Sequence, residues 1–108
     1  MERMKLTFLE CKYHVSKENG TVVARAYFSF CGEKFNTIGV ARAKKEDFIP
    51  IEGKRLARAR AEKKAYILVK NCIKDNIKCI EKEKEISINS LNFYTKCIEH
   101  QNEYIKTF

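Results

Sequence analysis

The 108 residues, 44% hydrophobic and 33% charged, have the composition of a single folded domain, residues 1–108, which excludes a disordered chain. Lys and Arg number 22 against 14 Asp and Glu, and a formal charge of +8 favours acidic partners such as nucleic acid. No long apolar segment is present, so we expect neither a signal peptide nor a membrane partner. Five cysteines cannot all pair internally, which favours a reducing cytoplasm.

Alternating apolar and polar residues predict three strands in residues 5–43. The Asn19-Gly20 pair suits a tight turn between the first two strands, and Gly32 lies in the second turn. One face of the second strand is predicted to carry Val22, Ala24, Ala26, Phe28 and Phe30. One face of the first strand is predicted to carry Thr7, Leu9, Cys11, Tyr13 and Val15.

The pattern becomes helical after a loop at residues 44–53, which contains Pro50 and Gly53. Apolar residues then recur at helical spacing and predict a long helix over residues 54–80. We place Ala57, Ala61 and Leu68 of this helix against the sheet. The run Glu81–Glu85 is interpreted as a solvated helix end or linker.

A C-terminal helix is predicted over residues 87–107, with Ser87 or Ser90 as its cap. Its apolar stripe consists of Leu91, Tyr94, Ile98 and Ile105. The predicted fold class is therefore α+β, a three-stranded antiparallel meander followed by a long helix and a C-terminal helix.

No catalytic pattern is present, and we expect a protein that is not an enzyme. His14 and His100 lie on different elements without a motif around either, and there is no phosphate-binding glycine loop. Zinc sites usually contain two close cysteine pairs, whereas Cys72 and Cys79 are seven residues apart. We therefore interpret the cysteines as small core residues and expect no catalytic residue, no metal and no cofactor.

Basic side chains gather in residues 41–64, where nine Lys and Arg outnumber four acidic residues. Backbone N–H groups at a helix start attract anions, and cations placed there are not compensating the helix dipole. The alternative is a solvated helix face whose cations lean over the sheet. The candidate residues for binding an anion, a nucleic acid or a partner are Arg42, Lys44, Lys45, Lys54, Arg55, Arg58 and Arg60.

Three strands followed by a helix with a basic start resemble the double-stranded-RNA-binding domain. Lys54-Arg55-Leu56-Ala57-Arg58 is similar to the Lys-Lys-x-Ala-Lys pattern at the helix start of that family. The resemblance implies a shared scaffold, on which these cations would contact phosphates across the major groove.

A second resemblance covers roughly residues 20–75. The strand end Gly39-Val40-Ala41-Arg42, followed by Asp47, Pro50, Gly53 and the helix start at Leu56–Ala61, resembles a small dsRBD-like family of unknown function. That family occurs in actinobacteria, with related versions in phage and prophage proteins. The resemblance implies a fold and a phage setting, in which small proteins without catalytic residues often disable host defences by binding.

Three functions are compatible with the sequence. The first is a phage or mobile-element binding protein that acts on nucleic acid or on a host nucleoprotein defence complex, an anti-CRISPR-like inhibitor. The second is a sponge for a nucleotide messenger, enclosed by Tyr27, Phe48 and the basic loop between subunits of an oligomer. The third is a structural or assembly protein whose basic face is only solvated.

Overall fold

Three antiparallel strands precede one long helix in the computed structural model, which describes residues 2–108. The strands are β1 (Leu6–Ser16), β2 (Thr21–Phe30) and β3 (Glu33–Arg42), in the sheet order β1-β2-β3. A short 3₁₀ turn at Lys45–Asp47 leads to helix α1 (Pro50–Lys106). The α+β class and the predicted meander are confirmed. The chain divides into two compact units, one ending at Asn71 and the other comprising Cys72–Phe108.

Both predicted turns join neighbouring strands. Gly20 adopts a φ of +60° in the first turn, and its carbonyl accepts a hydrogen bond of 2.8 Å from the Ala43 amide. In the second turn Cys31 and Gly32 have φ values of 52° and 81°. Positive φ is accessible to glycine at little cost, so glycine suits both turns.

The core lies between the predicted inner face of β2 and the first five turns of α1. Val22, Ala24, Ala26 and Phe28 are buried, and the Phe28 ring stacks on Phe35 with 5.5 Å between centroids. The facing helix residues Ala57, Ala61 and Ala65 are fully buried. These small side chains let the helix backbone approach the sheet, and Gly39 of β3 lies directly beneath Ala57 and Ala61.

The prediction of which β1 residues share the core-facing side is wrong for the first part of the strand. Pairing with β2 shifts by one residue between Phe8 and Glu10, which places a bulge at Leu9. Before the bulge, Leu6 and Phe8 therefore face the Phe28 cluster. After it, Cys11 and Val15 pack against the core as predicted, so Thr7 and Leu9 do not share their face.

The helix begins at Pro50 instead of residue 54. Proline suits a first helical position because its fixed φ is already helical and its missing N–H is not needed there. Gly53 lies inside the helix, where a Cβ atom would come within 2.7 Å of Val22 Cγ2. The predicted loop therefore forms the 3₁₀ turn and the first turn of α1.

The predicted break between two helices is also absent, because α1 continues without interruption through residues 81–90. Glu and Lys are strong helix formers, and no Gly or Pro follows Gly53. Ser90 does not cap a second helix; its hydroxyl donates to the Ile86 carbonyl of the preceding turn at 2.8 Å. The separate C-terminal helix over residues 87–107 is therefore wrong.

Two burial predictions require correction. Leu68 is 53% exposed, since Ala65 is the last buried residue of α1. The expectation that the cysteines are core residues is also wrong for four of the five. Cys11 is half-buried, whereas Cys31, Cys72, Cys79 and Cys97 are exposed.

Candidate anion-binding surface

The unit that ends at Asn71 contains the sheet, and we call it the sheet-bearing unit. The predicted basic residues occupy three places on it. Arg42 ends β3, Lys44 and Lys45 lie at the 3₁₀ turn, and the other four lie on α1 after its first turn. All are exposed except Arg58, which is partly covered. Ala57 is buried and anchors the helix on the sheet, so Lys54, Arg55 and Arg58 surround a fixed point of the helix.

Two of these cations lie over aromatic rings of β1. The Lys54 ammonium is 5.4 Å from the Tyr13 ring centroid, and the Arg58 guanidinium is 4.3 Å from the Phe8 ring centroid. Such contacts fix the direction of a cation without neutralising its charge. Desolvation raises the pKa of the Tyr13 phenol above its usual value, so this residue is a neutral support for Lys54.

Arg58 is the only predicted site residue in an ion pair among residues 2–108. Its Nε donates to Glu62 Oε1 at 2.8 Å, one helical turn away, and this hydrogen bond raises the pKa of Arg58. The i,i+4 spacing of the two residues is visible in the sequence. Part of the charge of Arg58 is therefore already compensated.

Two other helix cations lie along the outer edge of β3. Arg60 donates to the Val40 carbonyl at 2.7 Å, and Lys64 donates to the Ile38 carbonyl at 2.6 Å. Both contacts satisfy backbone acceptors that have no neighbouring strand, because β3 is an edge of the sheet. Lys64 was not among the predicted site residues, although its spacing from Arg60 places both on one side of the helix.

A shallow pocket of about 140 Å³ lies beside Arg42. The carboxylate residues Asp47 and Glu52 line it together with Arg42, Phe48 and Leu56. Pockets that bind small molecules usually measure about 300–1,000 Å³. Its size and its two acidic residues make this pocket a poor fit for a nucleotide.

The aromatic residues proposed to enclose a nucleotide lie on opposite faces of the sheet. Phe48 packs against the core cluster of Val22 and Ala24 beneath the helix. Tyr27 lies between the inward-facing Ala26 and Phe28 on β2, so its side chain points to the other face. One protomer therefore cannot bring the two rings around one ligand.

The face of the sheet away from α1 carries cations that the sequence interpretation missed. Lys12 Nζ lies 5.4 Å from the Tyr27 ring centroid, and it pairs with Glu10 at 3.7 Å. Arg25 donates to the Asn36 side chain at 3.1 Å. Their alternation along the strands, opposite to the core residues, was the signal for this face.

The helix start itself is not the basic site that the sequence predicted. Because α1 begins at Pro50, its first turn contains Glu52, and Lys54 and Arg55 follow that turn. Lys54 and Arg55 therefore do not lie at the first amides of the helix, and of the predicted cations Arg42 lines the pocket there with Glu52 and Gly53.

Charge is divided unequally along the chain. Residues 72–108 contain six Lys and six acidic residues, so the entire formal excess of +8 belongs to residues 1–71. Among the described residues, only Lys12 and Arg58 lie within 4.0 Å of a carboxylate. The sheet-bearing unit thus presents a largely uncompensated positive surface.

Comparison with known proteins gives no family assignment, since no family model, no curated protein and no solved structure matches the chain. Within residues 2–108 no helix has an apolar stretch that could cross a membrane.

Proposed function

We propose that this chain is a non-enzymatic binding protein of phage or mobile-element type that binds nucleic acid, free or within a host defence complex, in the host cytoplasm. This would make it an anti-CRISPR-like inhibitor. The observation that carries the proposal is the segregation of all excess charge onto one unit, where Lys44, Lys45 and Arg55 are exposed. A dense positive surface of this kind attracts a phosphate backbone.

The resemblance to the double-stranded-RNA-binding domain supports the same proposal. It rests on three strands followed by a helix with a basic start, and the chain has that element order. Ala57 anchors the basic pattern to the sheet, and aromatic rings of β1 support Lys54 and Arg58. Cations held on a rigid scaffold lose little side-chain freedom on binding, which favours contact with regularly spaced phosphates.

The nucleotide-sponge alternative is less well supported. The pocket beside Arg42 is small and has two acidic residues, and Tyr27 and Phe48 lie on opposite sheet faces. A sponge would therefore need a ligand site formed between chains. Its signature is a rise in melting temperature with submillimolar nucleotide, which we do not expect.

The test is the salt dependence of binding to duplex RNA, duplex DNA and single strands of equal length. A variant with Lys44→Gln, Lys45→Gln and Arg55→Gln removes three exposed cations whose side chains form no hydrogen bond or ion pair within the described residues. Its slope of log affinity against log salt should flatten by about 0.9 for each lost contact on DNA. Exposed charges contribute little to stability, so the fold should persist.

The matched control removes three charges from the unit Cys72–Phe108, which has no net charge. Its substitutions are Lys74→Gln, Lys78→Gln and Lys82→Gln. We expect its slope to equal that of the native chain. Equal slopes for both variants would instead show that net charge alone matters and that the predicted surface is only solvated. Absence of salt-dependent binding to every nucleic acid would contradict direct binding.

A further inference from the structure

The continuity of α1 joins two apolar stripes that would belong to separate helices if the chain broke near residue 85. Along the helical residues Cys72–Lys106, positions spaced alternately by four and three form one line, which we call the C-terminal seam. Seven of its ten positions are apolar: Ile73, Ile77, Ile80, Leu91, Tyr94, Ile98 and Ile105. Lys84, Ser87 and Gln101 occupy the other three. This spacing is the heptad repeat of a coiled coil.

Part of the outer side of the helix, away from the seam, is polar. Ten positions that repeat with the same period contain Asp75, Lys78, Lys82, Glu85, Asn89, Asn92, Lys96, Glu99, Glu103 and Lys106. The remaining outer line carries Cys79, Ile86, Phe93 and His100, so the outer side is mixed there. Apolar residues are nevertheless most concentrated on the seam, which is the pattern of an element that packs against a partner.

Nothing in the described part of the chain buries the seam. No residue of Cys72–Phe108 is buried, and Leu91, Ile98 and Ile105 are each at least 60% exposed. Large exposed apolar stripes mark interaction surfaces, and an isolated helix derives little stability from propensity alone. The segment therefore requires a partner helix.

We propose that this partner is the same segment of a second copy of the chain, packed antiparallel along the C-terminal seam. The segment has no net charge, so two copies do not repel each other and a nucleic acid would gain nothing from it. A seam with the heptad period also fits another seam with the same period, because both helices underwind to the same repeat.

The polar residues of the C-terminal seam determine whether the two helices pack parallel or antiparallel. A parallel pair in register would place Lys84 against Lys84 inside the interface, where two buried like charges are costly. In the antiparallel register that sets Leu91 against Tyr94, Lys84 faces Gln101. Ile80 then faces Ile105. Only the pair of Ser87 and Ile98 combines a polar with an apolar residue.

Other antiparallel registers fit less well. A shift of one heptad in one direction sets Lys84 against Tyr94, and in the other direction it shortens the helical overlap to residues 86–106. The preferred register overlaps the helical segment from Cys79 to Lys106, a length of about 42 Å. Stable specific interfaces bury about 800 Å² on each partner, which a pair of helices reaches only through a contact of many turns.

The first measurement is the mass of the native chain by sedimentation equilibrium. We expect the mass of two chains, or of four chains if pairs associate further, because antiparallel pairing gives assemblies with an even number of chains. A double variant with Leu91→Glu and Ile98→Glu should be monomeric. The control with Asn89→Glu and Asn92→Glu introduces the same charges on the polar part of the outer side and should keep the native mass.

The direction is tested with spin labels at Asn92→Cys or at Lys106→Cys in chains whose native cysteines are serine. Antiparallel pairing brings the two copies of position 92 close to the two-fold axis. It separates the two copies of position 106 by about 40 Å. Short distances at both positions would overturn the antiparallel arrangement, and a native chain that sediments as a monomer would overturn the proposal whether or not the glutamate variant folds.

Discussion

The backbone of α1 at Ala57 lies directly on Gly39 of β3, and a Cβ atom at position 39 would overlap the Ala57 carbonyl oxygen. The same Cβ would come within 2.5 Å of the Ala61 amide nitrogen. Both obstacles are backbone atoms, so no side-chain rotation can relieve the overlap. The helix can stay at its observed height above the sheet only when residue 39 is glycine.

We predict that Gly39→Ala lowers the free energy of unfolding by about 1–3 kcal/mol, because the helix must move away from the sheet. Urea denaturation followed by circular dichroism measures this loss. Gly32→Ala is the control: it makes the same change where no atom lies within 4 Å, but at a φ of +81°. Gly39 does not have a positive φ, so its loss would come from the overlap with the helix, whereas any loss at Gly32 would come from its backbone conformation. An unchanged free energy of unfolding for Gly39→Ala would contradict the close approach of the helix.

Thr37 holds the same part of the helix through a hydrogen bond. Its Oγ1 donates to the Ala61 carbonyl at 2.6 Å, and Thr37 is the buried polar residue of the core. Thr37→Val should lower the free energy of unfolding by about 1 kcal/mol, the usual net contribution of such a bond. Thr37→Ser keeps the donor and should lose less. A greater loss for serine than for valine would show that the methyl group of Thr37 matters more than its hydroxyl.

Ala61 and Ala59 provide a matched pair on opposite sides of the helix. Ala61 is fully buried on the sheet, whereas Ala59 is exposed. Ala61→Leu should overpack the contact and lower the free energy of unfolding by about 1–3 kcal/mol. Ala59→Leu should change it by less than about 0.5 kcal/mol. Similar melting temperatures for the two variants would contradict the assigned helix face.

The sheet could be predicted because most of its residues obey strict alternation. Val22 to Phe30 alternate without interruption, and Gly20 and Gly32 mark the turns. The bulge at Leu9 could not be predicted, because Leu6, Phe8, Leu9 and Cys11 are all apolar and fit either face of β1. Tertiary packing of Phe8 on Phe28 selects the face.

The helix boundaries failed for a different reason. A charge run such as Glu81–Glu85 is compatible with a linker and with a solvated helix, and the sequence alone does not distinguish the two structures. The basic candidates lie close together in the sequence. Their division between the β1 side (Lys54, Arg58) and the β3 side (Arg60) depends on how α1 crosses the sheet, which no local pattern encodes.

The final prediction concerns the edge of β3, where Arg60 and Lys64 cover the carbonyls of Val40 and Ile38. Open strand edges pair with other chains, and charged side chains over an edge prevent this. Arg60→Met with Lys64→Met removes both donors but keeps most of each apolar stem. We expect this variant to aggregate at lower temperature than the native chain, as measured by light scattering during heating.

The control for this edge effect is Arg55→Met with Lys63→Met, which removes the same charge from exposed positions of the same helix. Since it leaves both β3 carbonyls covered, it should scatter light at nearly the native temperature. Aggregation of both variants at the same lower temperature would attribute the effect to reduced net charge. A difference between them would show that Arg60 and Lys64 protect the strand edge, a role that these two cations serve in addition to any contact with phosphate.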